Sequence, residues 1–235
     1  QLGYETEGIG KGYATSLSVG YLNRYEGWEV QGAVAAFAAR HPHIALKAVP
    51  GSHDELYHMV MTGEVDLVFN DRRRSLSDKF VNRPLMTCFE YVEVSEASDL
   101  AWKDALRVSE LKGRPCILIA SPEMENVERA HFRDVLNFDC PFLFARSREE
   151  GRMMVAGNRG FMPMESRADR PRSGSIVRRI PLMGEDGHMS SEYYAFWLKA
   201  RSNALVEEFA DMLAGAFAPD AGTTPSLPED GRFAV

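Results

Sequence analysis

The chain has 235 residues, 45% of them hydrophobic and 26% charged, with a formal net charge of -7 at pH 7. That composition belongs to a globular protein with room for one large domain or two small ones, and the acidic balance opposes non-specific attraction to nucleic-acid phosphate, which needs clustered Lys and Arg. The longest apolar runs, Cys116 to Ala120 and Tyr193 to Leu198, fall short of the roughly 20 residues of a membrane span, and Cys88, Cys116 and Cys140 lack CxxC spacing, so they are expected to be reduced and mostly buried.

Residues 1–12 are glycine-rich and polar, with no charged segment leading into an apolar one as a secretory signal would have. From Ser16 to Leu22, Leu17, Val19 and Tyr21 alternate with smaller residues, the period of a first strand. In the next segment Val30, Ala33, Val34 and Phe37 fall at i, i+3, i+4 and i+7, which predicts a helix with one apolar stripe, ended by His41 and Pro42. Ala35, Ala36 and Ala38 flank that stripe; they either let a second surface approach closely or serve as good helix formers. IALKAVPG then reads as a strand stopped at Pro50 and Gly51. Ser52, followed three residues later by Glu55, has the form of a capping box. It opens a helix whose inner face is Leu56, Met59 and Val60 and whose stop is Gly63. Val65 to Asn70 is continuously apolar but for Asp66, as expected of a strand covered on both faces.

Beyond a basic turn at Arg72 to Arg74, Pro84 to Val94 reads as extended and Asp99 to Ser109 as a helical or irregular connection. A second cycle follows: strand Pro115 to Ala120, helix Glu125 to Leu136, strand Phe142 to Ala145, helix Arg148 to Ala156. Gly160 to Met164 is a short strand or turn, and Arg167 to Ser175 a polar loop. Ile176 to Leu182 and Tyr193 to Ala200 are strands, and Asn203 to Phe217 a closing helix with Leu205, Phe209, Met212 and Leu213 inward. The remainder, rich in Pro, Gly, Thr and Asp, is expected to be disordered. Strands alternating with helices through short loops imply right-handed crossovers on a mostly parallel sheet. Two such lobes joined by crossing strands would place a ligand in the cleft between them.

The motifs AVAAFAARHPHIALKAVPGSHDELYHMVMTGEVDLVF, RPLMTCFEYVEV, VAGNRGFMPM and FWLKARSNALVEEFADML, in that order, resemble the effector-binding domain of LysR-type transcriptional regulators over roughly residues 13–217. The resemblance implies an α/β fold of two Rossmann-like lobes with a central cleft, like type II periplasmic binding proteins. It places the first lobe at 13–92 plus 193–217 and the second at 93–192, with 1–12 a junction after a linker helix and 218–235 a tail. A winged helix-turn-helix outside this chain would make the contact with DNA. The domain would sit in the cytoplasm, off the membrane, and would pair as a homodimer or tetramer, the helix at 27–41 of one copy lying against the second lobe of another.

Carried over position by position, the effector would meet Asn23, Arg24 and Tyr25, Ser52, and Asn70 from the first lobe. From the second it would meet Ala120, Ser121, Arg146, Ser147 and the run Phe161, Met162, Pro163 and Met164. Helix N-termini facing the cleft favour a carboxylate, with Arg24 an alternative donor if it is not simply a solvated loop residue. Tyr25, Trp28, Phe161, Met162 and Met164 would suit an aromatic or apolar molecule, or else pack the cores. In LNRYEG the chain lacks the hydroxyl the family often has at the first helix start, and Asn158, Arg159 and Gly160 stand where small apolar residues are usual. No cofactor or metal is expected, and the six histidines show no HxxxH or G-x-S-x-G context that would mark an enzyme. His53 and Tyr57, one turn apart, read as a solvated helix face. The alternatives on the same fold are a transport-type solute receptor and a small enzyme such as a dehydratase.

Overall fold

The computed structural model describes residues 15–25, 28–167, 176–185 and 187–218. The expected junction at 1–12, nearly all of the polar loop at 167–175 and all of the tail but Ala218 lie outside the described residues.

The first lobe is built as its periodicity predicts. β1 (Thr15–Leu22) pairs in parallel with β2 (Ile44–Gly51) and with β3 (Leu67–Asp71). α1 (Glu29–Arg40) and α2 (His53–Thr62) make the connections, and α2 ends where Gly63 takes a left-handed φ of 80°. The predicted inner face of α1 is found: Val30, Ala33 and Phe37 are buried, while Ala35, Ala36 and Ala38 are exposed. Gly20 on β1 lets α2 lie close, since a Cβ there would stand 2.8 Å from Leu56 Cδ2. The long strand β4 (Phe80–Ser95) and β11 (Ser190–Leu198) complete this sheet in the order β2-β1-β3-β11-β4, with β11 antiparallel to both neighbours. Pro84, which has no N–H to give the ladder, faces Tyr194 where the β4–β11 register slips.

β4 does not stop at the first lobe. From Phe80 to Phe89 it pairs with β11; from Phe89 to Ser95 it pairs with β8 (Met162–Ser166) and with β9 (Val177–Gly184). β9 in turn holds β5 (Leu106–Arg107) and β10 (Gly187–His188). β6 (Cys116–Ile119) and β7 (Phe142–Ala145) form a parallel pair linked to β8 through a Cys116–Phe161 bridge. Tyr91, Val92 and Val94 thus lie between elements of the second lobe.

Three cores follow. One is drawn from residues 17–88 and 193–217, with α1 and α5 (Ala204–Phe217) packed together over the sheet through Phe37 and Phe209. The other two are drawn from residues 92–182: one around Phe132, Phe138 and Phe161, the other around Ile117, Val155, Met162 and Met164. Several sequence expectations change in detail. The sheet expected to be mostly parallel is mixed, with β4 antiparallel to β8, β9 and β11. The helix predicted from Glu125 to Leu136 is α-helical only as α3 (Glu125–Ala130) and widens into a π turn at His131–Val135, which seats Phe132 inward at 2% exposure. The connection at 99–109 is two 3₁₀ turns flanking β5. α4 (Arg148–Ala156) has the predicted bounds. Cys88 and Cys116 are buried, and Cys140 is partly so.

Candidate functional site

The site begins in the loop after β1. Asn23 donates its backbone N–H to Gly51 O (3.0 Å), which ties the loop to the end of β2 and turns Arg24 inward. Arg24 is only 6% exposed. Its Nη2 donates to Glu165 on β8, lies 3.5 Å from Glu90 Oε1 on β4 and 3.7 Å from Asp71 Oδ2 on β3, and its guanidinium carbon stands 5.4 Å from the Phe132 ring centre. The expectation of a solvated loop arginine is therefore corrected: three carboxylates from three strands draw the side chain into the space between the lobes. Tyr25 follows it in; its backbone bridges Glu165 and its hydroxyl donates to Glu29 Oε2 (2.6 Å).

Asp71, at the carboxyl end of β3, is the hub. Its Oδ1 stands 2.8 Å from His53 Nδ1 and its Oδ2 accepts from Arg73 Nε at 2.8 Å. Arg73 continues across the cleft, Nη1 donating to Glu128 Oε1 at 3.3 Å on α3. Asn70 clamps the corner: Nδ2 donates to His53 O (3.1 Å), and Oδ1 accepts the Asp71 N–H (3.0 Å). At the start of α2 the capping box is present, the Ser52 N–H reaching Glu55 Oε2 at 2.8 Å. The other oxygen of Glu55 accepts from Ser121 Oγ in the second lobe at 2.7 Å. Arg148 Nη1, from α4, donates to Tyr25 O at 3.2 Å. Besides the Tyr25–Glu165 backbone bridge, each of these described cross-lobe ties involves a charged side chain.

The electrostatics are unusual for an interior. Asp71, Glu90, Glu128 and Glu165, each at most 4% exposed, share the guanidiniums of Arg24 and Arg73. Burial works to raise the Asp71 carboxyl, but Arg73, the hydrogen bond from His53 and Arg24 outweigh it and hold the group well below the usual carboxylate range. Burial alone pushes Glu165 up to about 8. Burial also raises Glu90, with Arg24 opposing and Asp71 adding. Beside the cluster, burial and then Arg73 and Arg24 lower His131 to about 3. Among the described residues, Arg24 Nε and Nη1 and Glu165 Oε2 have no hydrogen-bond partner, so the cluster keeps both donor and acceptor capacity.

Asn23, Arg24, Tyr25, Ser52, Asn70 and Ser121 are thus brought together around the cleft. Ala120 is buried beside Ser121, its N–H on Ala145 O (3.0 Å). Arg146 is exposed, and Ser147 caps α4 through the Glu150 N–H (3.1 Å). The run 161–164 goes elsewhere. Phe161 packs against Phe138, Met162 and Met164 enter the core beside Ile117, and Pro163 lies opposite Val92 on β4. Alternation along β8 points the methionines into the lobe, so the core-packing alternative holds for them. Trp28 is 61% exposed and belongs to none of the buried cores. His53, at 4% exposure, is not on a solvated face.

His53, Asp71, Arg73, Glu90, Glu128, Phe132 and Glu165 were not singled out as cleft residues. Glu90 and Glu165 did leave a signal: a carboxylate inside an apolar strand, in CFEYVEV and FMPMES, needs a buried partner.

The family model described as the LysR substrate binding domain matches residues 11–218. Similar solved structures include an OxyR regulatory domain from Pseudomonas aeruginosa (15% identity, 87% of this chain and 98% of that one, TM-score 0.64). The MetR regulatory domain from N. meningitidis, a LysR family regulator, aligns at 15% identity over 86% of this chain and 94% of its own, TM-score 0.64. The C-terminal domain of a probable LysR family transcriptional regulator from Rhodococcus sp. RHA1 aligns at 22% identity over 85% and 98%, TM-score 0.64. No curated protein sequence matches the chain.

Proposed function

Because the chain belongs to the LysR substrate-binding-domain family, we propose that it holds a small molecule between its lobes and passes the resulting change of lobe geometry to a winged helix-turn-helix that contacts DNA. The chain is the effector-binding domain of a LysR-type regulator, which sets aside the transport-type reading. One observation supports the cleft as the place of sensing: the lobes are joined by ties that a polar ligand can replace group for group, Arg24 to Glu165, Arg73 to Glu128 and Ser121 to Glu55. A ligand changes the lobe equilibrium only by its differential affinity for the two arrangements, and here it would act by substituting for these bonds.

Arg24 as donor and the N-terminus of α2 favour a carboxylate, and the aromatic floor of Phe132 favours a flat apolar body. The chemistry is binding rather than turnover, in the cytoplasm. Among the described residues no helix is long and apolar enough to cross a membrane. Assembly into a homodimer, and a tetramer in the full regulator, would place the exposed alanines of α1 against the second lobe of a partner copy. The test is a thermal-shift and calorimetric screen of carboxylates and aromatic acids. A saturable binder whose affinity drops in Arg24→Gln is expected; a screen without any binder counts against the reading.

A further inference from the structure

Glu90 on β4 and Glu165 on β8 are direct cross-strand partners, at 3% and 0% exposure. Residues opposite each other in an antiparallel pair put their side chains on one face, about 5 Å apart at Cβ, where two like charges work against the pairing. Both do turn toward the same point, since Arg24 Nη2 donates to Glu165 and stands 3.5 Å from Glu90 Oε1. The pair is one positive charge short. Arg73, the other guanidinium of the cleft, is engaged by Asp71 and Glu128, and Arg24 itself also lies 3.7 Å from Asp71 Oδ2. Two buried carboxyls around one cation are costly to keep ionised together, and a proton taken up between them belongs to the pair rather than to either member. A proton is also the one counter-charge that needs no cavity. We propose that Glu90 and Glu165 share one proton while the lobes are closed and release it when the cleft opens, so that pH sets how readily the lobes part.

The surroundings leave the proton to this pair. Among the described residues no donor occupies Glu165 Oε2, so a proton there displaces no hydrogen bond. On β11, Ser191 Oγ lies 3.5 Å from Glu90 Oε1, and on β10, His188 Nε2 lies 2.7 Å from the Glu90 backbone O. Burial keeps the Cys88 thiol on β4 protonated, and Asp71 on β3 stays ionised because Arg73, His53 and Arg24 outweigh its burial. Arg24 belongs to the first lobe with Asp71, whereas the pair lies where β4 enters the second lobe. When the lobes part, the guanidinium leaves with Asp71, water reaches the carboxyls and both ionise. Burial raises both acids in the closed form, Glu165 from 4.5 to about 8. The closed form therefore holds the extra proton above about pH 4.5, and the advantage this gives to closure is lost as pH rises through about 8. His131, on the π turn facing Arg73 and Arg24, has the opposite sign: lowered from 6.5 to about 3 while buried, it favours opening in acid. The window between about 6.5 and 8 is left to the carboxyl pair. The inference rests on the cleft being the place where the lobes move, as proposed above.

The experiment is NMR of the domain from pH 6.5 to pH 8. It follows the Glu side-chain carboxyl carbons and the hydrogen-exchange protection of the amides at residues 23–25, corrected for the pH dependence of exchange itself. We expect one proton's worth of Glu carboxyl signal to titrate in this range and the loop protection to fall about ten-fold across it. In Glu90→Gln and in Glu165→Gln a single carboxyl faces Arg24, so the remaining acid is ionised throughout and the fall disappears. Glu128→Gln, which removes a tie between the lobes without touching the pair, lowers protection at every pH and keeps the slope. The proposal is overturned if both carboxyls are already ionised at pH 6.5, or if the loop protection is flat or falls equally in the two Gln variants. It is overturned equally if these amides exchange only together with the core around Phe37 and Phe209, by unfolding of the whole domain. Each of those results leaves small-molecule sensing standing, since that reading falls only with a ligand screen that finds no binder.

Discussion

Arg24 is the cation that Asp71, Glu90 and Glu165 share, and it cannot be removed alone. Deleting the cation of a buried charged cluster leaves the Asp71 carboxylate undercompensated at a cost of about 3–5 kcal/mol, whereas neutralising both members of a buried pair is often close to neutral. Urea unfolding of Arg24→Ala is expected to show a loss of that size, and Arg24→Met combined with Glu165→Gln to recover most of it. A pH dependence follows from the same carboxyl. Glu165 is raised from 4.5 to about 8 in the folded chain, so the folded form prefers the neutral acid. Its contribution to stability is complete below the unfolded value and is lost as pH rises through about 8. The thermal midpoint of the wild-type domain should therefore fall as pH rises from about 5 to about 8 and level off beyond, and Glu165→Gln, neutral throughout, should remove that part of the fall. His131 acts in the other direction: lowered from 6.5 to about 3, it stabilises above its unfolded value and costs stability as pH falls below it. The position of Arg24 in a loop was legible in the sequence, but its burial was not. Three carboxylates distant along the chain, Asp71, Glu90 and Glu165, draw it inward, and nothing local announces that convergence.

Secondary-structure elements were read more easily than side-chain destinations. The 3.6-residue stripe of α1, the capping box of α2 and the Gly63 stop rest on local chemistry and were found at the predicted residues. β8 shows the limit: the resemblance placed 161–164 at the cleft, whereas strand alternation sends Met162 and Met164 into the lobe and leaves Glu165 to face Arg24. The unusual Asn158-Arg159-Gly160 turn also has its explanation at this scale. Asn158 adopts a positive φ of 54°, and a Cβ on Gly160 would lie 2.4 Å from Pro115 O. Gly160→Ala is expected to destabilise by about 1–3 kcal/mol, the usual cost of overpacking, measurable as a fall of roughly 2–12 °C in thermal midpoint for a chain of this size. On α1 the opposite is expected. Ala36→Glu, on the exposed face, should leave the thermal midpoint of the isolated domain unchanged and shift its sedimentation toward the monomer if that face pairs with a second copy.

At the scale of the whole molecule, two alternating αβ cycles predicted a two-lobed α/β protein, and the described chain has that form. What no periodicity could show is that the cleft is occupied by the protein's own charged side chains, because that depends on how the lobes meet. The ties across it are local enough to be loosened selectively. Ser121→Ala together with Arg148→Ala should speed amide hydrogen exchange in the 23–25 loop and at the start of α2, while exchange in the core around Phe37 and Phe209 stays as slow as before.

The strand that serves both lobes has one further mechanical consequence. β4 runs unbroken for 16 residues, its first part laddered to β11 and its last to β8 and β9. An extended backbone resists stretching and bends little in the plane of its sheet, but it twists readily. A strand held in a lobe at each end would let the two lobes turn about its length more easily than they draw apart, so a ligand between them is expected to be read as an angle rather than a separation.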